Sequence, residues 1–133
     1  GCYRTLISGA DGTAIGTGNQ NTIDIEAGCT TTWKLKHIYK FGIAANICDT
    51  LTLGGYSDWF LPSKDELYEM YLNIGQGNAL GLGNIGGFAN NNYWSSTESG
   101  TSIAWLQSFT NGYQFNDYKY NYFGTVVRAV RAF

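Results

Sequence analysis

Apolar residues recur at helical spacing in the middle of the chain. They lie three or four positions apart, which predicts a helix from His37 to Leu51 that ends before Gly54 and Gly55. The apolar stripe of this helix consists of Ile38, Phe41, Ala45 and Cys48.

A second helix has a clear start signal. Ser63 is followed three residues later by Glu66, the pattern of a capping box. Asp58 and Asp65 are predicted to serve the entry and first turn of this helix, where acidic groups favour the positive end of the dipole. Gly75 marks its end. Its buried stripe is predicted to consist of Leu67, Met70, Tyr71 and Ile74.

Two stretches lack this periodicity. Residues 1–28 are rich in Gly and Thr, and we expect extended or loop structure there. The segment "GQGNALGLGNIGGFANNN" predicts a long loop. Its GxGxxG pattern at Gly81, Gly83 and Gly86 does not indicate a dinucleotide site, because that fingerprint must follow a strand and open a helix.

From Tyr93 onward the apolar period changes to two. "NYWSSTE", "IAWLQSF" and "TVVRAVRAF" predict strands, and "TNG" predicts a hairpin turn before Tyr113. Helices followed by strands indicate an α+β domain with a mostly antiparallel sheet.

Alternation divides the residues of "IAWLQSF" and its turn into two faces. One face carries large rings and is predicted to point into the core; it consists of Trp105, Gln107 and Phe109. The other face shows no size pattern and is predicted to lie at the surface; it consists of Leu106, Ser108 and Thr110. Across the turn, Tyr113 and Phe115 share a face and Gln114 lies opposite.

The composition narrows the class of protein. Hydrophobic residues make up 44% of the 133-residue chain, which excludes intrinsic disorder, whereas charged residues make up only 14%. The net charge of −2 argues against nucleic-acid binding, because a duplex-binding protein needs a basic surface to neutralise phosphates. The sequence predicts no signal peptide and no membrane-spanning segment. With 10 Tyr, 7 Phe and 4 Trp, many rings must lie at the surface or in an interface, as in extracellular loop-rich domains.

The three cysteines offer one disulfide. We predict a bond between Cys29 and Cys48, with Cys2 outside it; three buried thiols are the alternative. A zinc site would lack ligands, since there is no CxxC pair and His37 is the only histidine. His37 is predicted to be an exposed helix residue. We predict no metal and no other cofactor.

One regularity extends from Ser99 to Gly124. In this segment the types Lys, Glu, Gln, Met and Trp occur only at Trp105, Gln107, Gln114 and Lys119. Every other residue can be encoded by changing only the adenines of an Asn codon, A-A-pyrimidine. The pattern suggests variation by substitution at adenines, although a Gly- and Tyr-rich segment can also show it by chance.

Together these motifs resemble a known family. "GGYSDWFLPSKDELYEMY", "YWSSTE", "AWLQSF" and "VRAVRAF" are similar to the C-terminal domain family of the collagen-like bacterial adhesin. They resemble variable proteins of diversity-generating retroelements more closely. In those proteins, a reverse transcriptase miscopies the adenines of a template, and the copy replaces the 3′ end of the gene. The resemblance extends from Cys2 to Phe133 and implies a single domain, residues 1–133, with a C-type lectin-like fold that lacks the family's usual first strand.

The resemblance implies a ligand-binding surface of variable residues on a fixed framework. The fixed framework would include Trp94, Trp105, Phe109, Val127 and Val130. Asn111, Asn116 and Asn121 would be unchanged template asparagines. The variable positions would be Ser99, Gly100, Thr101, Ser102, Ile103, Leu106, Ser108, Thr110, Tyr113, Phe115, Asp117, Tyr118, Tyr120, Tyr122, Phe123 and Gly124.

Catalytic chemistry finds little support in the sequence. The related formylglycine-generating enzymes share the lectin-like fold but use catalytic cysteines, and Cys29 and Cys48 match no such motif. Calcium held by Glu98 with Asn90–Asn92 is a weaker alternative, because oxygen ligands alone are common at surfaces. No catalytic residue is predicted.

We therefore expect a non-enzymatic, hypervariable binding module, extracellular, on the cell surface or on a virion tail. Tyr, Ser, Gly, Asn and Asp are the residues of antibody loops, which favours a protein or glycan ligand on another cell, phage or host surface. Homo-oligomerisation is left open. One alternative is an invariant adhesin domain that binds polyanionic glycans, which the acidic balance disfavours. Another is a structural pilus or tail subunit.

Overall fold

The computed structural model describes residues 4–29, 40–120 and 124–132. The described residues form three helices and four strands in an α+β arrangement, which confirms the predicted class. The helices are α1 (Gly18–Gly28), α2 (Lys40–Asp49) and α3 (Lys64–Ile74). The strands are β1 (Asn92–Glu98), β2 (Ile103–Ser108), β3 (Gln114–Tyr118) and β4 (Thr125–Val126).

The strands form one mixed sheet in the order β3-β2-β1-β4. β1 pairs antiparallel with β2, and β2 with β3, whereas β4 lies parallel to β1. The predicted strand "TVVRAVRAF" is therefore confirmed only at its start, where Thr125 and Val126 pair with β1. Further along, Val130 makes an isolated antiparallel bridge with Phe60.

The capping box of α3 is confirmed. Ser63 Oγ accepts a hydrogen bond from Glu66 N at 3.3 Å, and Ser63 N donates to Glu66 Oε2 at 2.6 Å. Glu66 Oε1 also accepts from Gly16 N at 2.9 Å, so the same side chain fixes the preceding loop. Gly75 follows the helix as predicted. Asp58 was assigned wrongly, because its carboxylate binds Arg131 and not the helix.

The predicted middle helix is present as α2, although its predicted start at His37 lies outside the described residues. Gly54 and Gly55 do not end it directly. They form a tight turn in which Leu53 and Tyr56 exchange backbone hydrogen bonds of 3.0 and 3.1 Å. Their φ values of 63° and 82° require the left-handed region, which glycine enters without strain.

Helix α1 contradicts the prediction of loop structure for residues 18–28. Its buried positions recur at helical spacing, but most carry polar or small residues, so no apolar stripe is visible in the sequence. They are Gly18, Asn21, Thr22 and Ile25. Asn21 Nδ2 donates to Gly12 O at 2.6 Å, and Thr22 Oγ1 donates to Gly18 O at 2.8 Å. Polar groups can line this interior because the fold supplies hydrogen-bond partners for them.

Both faces of the sheet are covered by helices. On one face, Trp94 and its cross-strand partner Leu106 pack with residues of α1 and α2, including Ile25 and Ala45. On the other face, Tyr93 and Phe109 pack with Leu67 of α3. Phe109 stacks on Phe88 at 4.2 Å between ring centroids.

Coverage on both faces overturns the predicted surface face of β2. Leu106 is 1% exposed and Ser108 is 5% exposed, so two members of the predicted surface set are buried. The alternation identified one core face correctly, since Gln107 and Phe109 are buried, but it could not reveal that helices cover the opposite face too. Trp105, predicted to be a core ring, is only half-buried.

The predicted disulfide between Cys29 and Cys48 is absent. Both side chains are buried in the core that α1 and α2 share, and Cys48 is a thiol. Burial, with a smaller contribution from the adjacent Asp49 carboxylate, raises the pKa of the Cys48 thiol to about 12. Cys2 lies outside the described residues.

The polar contacts of α1 give a first prediction. Asn21→Ala leaves the Gly12 backbone groups and Ser96 Oγ without their partner, so we expect the free energy of unfolding to fall by about 2–3 kcal/mol. Gln20→Ala, an exposed change one residue away, should cost less than about 0.5 kcal/mol. Urea denaturation measures both; equal small losses would contradict the role of Asn21.

The state of Cys48 gives a second prediction. Because the thiol is buried and its pKa is about 12, iodoacetamide at pH 8 should leave Cys48 unmodified in the folded domain. After unfolding without reductant, the same peptide should be fully alkylated, as peptide mass spectrometry can measure. Alkylation that requires a reductant would show a disulfide instead.

Candidate functional site

A buried ion pair organises one end of the sheet. The Lys119 ammonium contacts Glu98 Oε1, and both side chains are 0% exposed. Lys119 Nζ also donates to Thr5 O at 3.2 Å and Thr101 O at 3.1 Å, and Glu98 Oε2 accepts from Ile7 N at 2.8 Å. Four separate segments therefore meet at these two side chains.

The buried pair depends on its hydrogen bonds. Burial raises the pKa of the Glu98 carboxyl above its ordinary value, while hydrogen bonds from Lys119 and Ile7 oppose this shift. Burying two charges costs free energy that only good geometry and complete hydrogen bonding offset. The positions of the surrounding segments are thus tightly fixed.

A surface lies directly over this pair, and we name it the edge patch: residues 99–103 together with Asp117, Tyr118 and Tyr120. Ile103 of β2 pairs with Tyr118 of β3, at the edge of the sheet. Ser99 Oγ donates to Asn116 Oδ1 at 2.6 Å, which ties the β1–β2 loop to β3.

Tyr118 and Tyr120 provide most of the exposed ring surface of the edge patch. Their side chains are 53% and 38% exposed, and the two rings stack at 5.2 Å between centroids and 20° between planes. Lys119 lies between them in sequence and points into the interior. Lys119 therefore binds the interior of the domain, whereas Tyr118 and Tyr120 on either side of it face solvent.

The predicted variable residues fall into four groups by position. Exposed members are Ser99, Thr101, Thr110, Tyr113, Tyr118, Tyr120 and Gly124. Half-buried members are Gly100, Ser102, Ile103, Phe115 and Asp117. Leu106 and Ser108 are buried, and Tyr122 and Phe123 lie outside the described residues.

The exposed members do not form one continuous surface. Tyr113 is 73% exposed but lies beyond the opposite end of β3, about 17 Å of extended chain from Tyr118. Gly124 precedes Thr125, which pairs with Asn92 at the start of β1. Of the described members, those in the edge patch lie together at one end of the sheet.

Ser108 has a structural role instead of a surface one. Its Oγ accepts from Thr110 N at 3.2 Å and from Asn111 N at 3.4 Å, which shapes the β2–β3 turn. Phe115 likewise packs against the core on the side of Leu106.

The residues of this segment that cannot arise from an Asn codon by adenine changes occupy anchored positions. Gln107 is 0% exposed, and Gln114 Nε2 donates to Lys64 O at 2.8 Å, which joins β3 to the start of α3. Trp105 is held differently, because the Lys64 ammonium lies 4.1 Å from its ring centroid. Its half-buried ring lies next to Asn116, its cross-strand partner on β3.

Comparison with known families decides the relationship. The family model of the Lcl C-terminal domain matches residues 17–131, which include all three described helices and the sheet. The chain belongs to the Lcl C-terminal domain family. No curated protein gives a significant match.

Lcl C-terminal domains are non-catalytic and occur in bacterial collagen-like adhesins. None of the helices in the described part of the chain is long and apolar enough to cross a membrane. Among the described residues, no group of three His, Cys, Asp or Glu side chains could hold a metal ion.

The calcium alternative fails on geometry. Glu98 is committed to Lys119 and Ile7, while Asn90 Oδ1 accepts from Gln76 and Asn91 Oδ1 accepts from Asn92 N. Asn92 and Glu98 also lie at opposite ends of β1, about 20 Å apart along the extended strand, so these oxygens cannot share one ion. The GxGxxG segment lies in an irregular loop that opens no helix, as predicted.

Sequence reasoning missed the pairing of Glu98 with Lys119. A signal was present, since Lys119 is the only lysine after Lys64 and cannot arise from an Asn codon by adenine changes alone. The codon pattern set Lys119 apart, but its buried partner could not be predicted, because 21 positions separate the two residues.

The ion pair of this Lcl C-terminal domain gives a third prediction. Lys119→Met leaves the Glu98 carboxylate buried without its cation, so we expect a loss of about 3–5 kcal/mol in the free energy of unfolding. Combining it with Glu98→Gln should cost less than the sum of the single changes. Lys64→Met, a half-exposed control, should cost about 1 kcal/mol at most. Denaturant titration measures the free energy of unfolding of the three single variants and the double variant. A loss for Lys119→Met no larger than the loss for Lys64→Met would contradict the role assigned to Lys119.

Proposed function

We propose that this Lcl C-terminal domain is a binding module whose edge patch is varied by adenine-directed retroelement mutagenesis. The observation that carries the proposal is the alternation around Lys119. Tyr118 and Tyr120 are exposed, whereas the residue between them, which cannot arise from an Asn codon by adenine changes alone, is fully buried.

This arrangement suits a surface that must tolerate many side chains. The backbone under the edge patch is held by Lys119, Gln114 and Glu98, none of which belongs to the variable set. Substitution of the outward rings leaves these contacts in place. Tyr and Ser also suit recognition, because rings give contact area with few rotatable bonds and hydroxyls adapt their hydrogen bonds.

The proposed fold is C-type lectin-like, with the domain displayed outside the cell, on its surface or on a virion tail. A mixed, helix-covered sheet with long loops, together with the family membership, supports this fold. The ligand would be a protein or glycan on another cell, phage or host surface.

Leu106 and Ser108 are not proposed as ligand contacts. They remain candidate variable positions by codon type, but their side chains are buried. The contact surface is instead proposed to consist of the edge patch, with Thr110 and Tyr113 as a separate exposed group.

The gene itself tests the proposal. At the edge-patch positions we expect codons that end in a pyrimidine, and a nearby template copy with adenines at the corresponding sites. Sequencing many cells should find substitutions at those sites and none in the codons of Trp105 and Phe109, which contain no adenine. Purine-ending codons, or the lack of any template copy, would sink the retroelement hypothesis.

A stability comparison tests the surface assignment independently. Tyr118→Ala and Tyr113→Ala should change the free energy of unfolding by less than about 0.5 kcal/mol, since both rings are exposed. Phe109→Ala, in the core, should cost about 3–5 kcal/mol. If the tyrosine variants lose as much stability as Phe109→Ala, these rings are structural and the patch is not free to vary.

An invariant adhesin that binds polyanionic glycans is the second candidate, because collagen-like adhesins carry this domain. Between Glu98 and Lys119 the only charged residue is Asp117, which disfavours a polyanion at the edge patch. Salt-sensitive retention on heparin would favour the adhesin function over the variable one.

A further inference from the structure

An open apolar groove with a volume of about 520 Å³ lies at the C-terminal end of α3. Its floor is formed by Met70 and Ile74 of α3, and its walls by Leu53, Tyr56 and Trp59. Trp59 Nε1 donates to Tyr56 O at 3.1 Å, so the indole ring is held against the turn at Gly54. None of these residues belongs to the predicted variable set.

Two arginines border the groove, and their charges are balanced differently. Arg131 Nε donates to Asp58 Oδ1 at 2.8 Å and Arg131 Nη2 to Asp58 Oδ2 at 3.0 Å. The guanidinium also lies 3.6 Å from the centroid of the Tyr56 ring. The charge of Arg131 is therefore already matched by a carboxylate.

Arg128 has no such carboxylate among the described residues. Its guanidinium lies over Phe88 at 4.2 Å, and its Nη atoms donate to the carbonyls of Gly86 at 2.9 Å and Gly87 at 3.3 Å. Backbone carbonyls orient the guanidinium but do not neutralise it, and an arginine has five N–H donors. The groove thus combines an almost wholly apolar lining with one uncompensated positive charge.

The glycine-rich loop extends this apolar surface. Gly86 N donates to Ile74 O at 2.7 Å, which places the loop beside the groove floor. Three aliphatic side chains of the loop, Leu80, Leu82 and Ile85, are 79%, 55% and 61% exposed. Asn84 holds the loop in shape by bonding both Phe88 N and Phe88 O. No charged residue lies between Glu69 and Glu98.

We propose that this groove docks a protein segment that carries apolar side chains next to a carboxylate. The apolar side chains would lie between Trp59 and Met70, and the carboxylate would bind Arg128. The open groove and the neighbouring aliphatic loop together favour a peptide over a small molecule, because small ligands are usually enclosed on most sides. A carboxylate that binds a guanidinium forms charge-assisted hydrogen bonds.

The groove is distinct from the edge patch. Lys64, at the start of α3, contacts Trp105 beside the edge patch, whereas Ile74, at the end of the same helix, forms part of the groove floor. The helix between them is about 15 Å long. The inference does not depend on hypervariability, and each hypothesis can fail without the other.

A matched pair of peptides tests the proposal. The probes are a blocked tripeptide of leucine, phenylalanine and glutamate, and the same tripeptide with glutamine in place of glutamate. Titrated into ¹⁵N-labelled domain, both should shift the amide signals around Leu53, Trp59 and Ile74. The glutamate peptide should bind at least about threefold more tightly at low salt. This preference should vanish in 0.5 M NaCl, where the Debye length is only a few ångströms.

Three variants complete the experiment. Arg128→Gln should make the two peptides bind equally. Leu53→Asp, at a side chain that is 58% exposed, should weaken both peptides without unfolding the domain. Ile23→Asp makes the same change at a 47% exposed site on α1, across the sheet, and should leave binding unaltered.

The contrary results are equally specific. Equal binding of both peptides to the unmodified domain would overturn the role of Arg128. Signal changes outside the groove, or no saturable change, would overturn the docking site.

Discussion

The buried contact between Glu98 and Lys119 fixes one end of this domain. It joins the end of β1, the end of β3, the β1–β2 loop at Thr101 and the N-terminal segment at Thr5 and Ile7. A buried charge whose partner moves away is costly, so all four segments must hold their positions together. The sheet edge acquires a defined shape that does not depend on the identity of the side chains facing solvent.

This constraint connects the fold to the proposed function. Lys119 and Tyr120 form the turn that follows β3, in which Lys119 is buried while Tyr118 before it and Tyr120 after it are exposed. Lys119 anchors the chain, and Tyr118 and Tyr120 are consequently presented together, close enough to stack. Antibody loops vary on a framework of two packed sheets. Here the buried contact between Lys119 and Glu98, beneath the edge patch, would supply that framework.

The parts predicted from sequence were those whose determinants are local. The start of α3 was visible because Ser63 and Glu66 are three residues apart, and β1 and β2 were visible from their alternation. Helix α1 was missed because its buried side includes Asn21 and Thr22, whose partners lie elsewhere in the chain. The burial of Leu106 was missed for a related reason, since the helices that cover it are distant in sequence. The pairing of Lys119 with Glu98 was missed for the same reason, since 21 positions separate the two residues.

Helix α3 separates the two surfaces to which we assign binding. Its capping box ties Glu66 to the loop at Gly16, and the bond from Gln114 to Lys64 ties its first turn to β3, so the helix cannot shift relative to the edge patch. Its last turn reaches the groove through Ile74, which also packs against the core cluster that contains Phe88. A module with a changing recognition surface still needs one unchanging contact with the assembly that displays it. The groove lies outside the proposed variable set and is fixed to the same helix, which are the properties that such a contact would require.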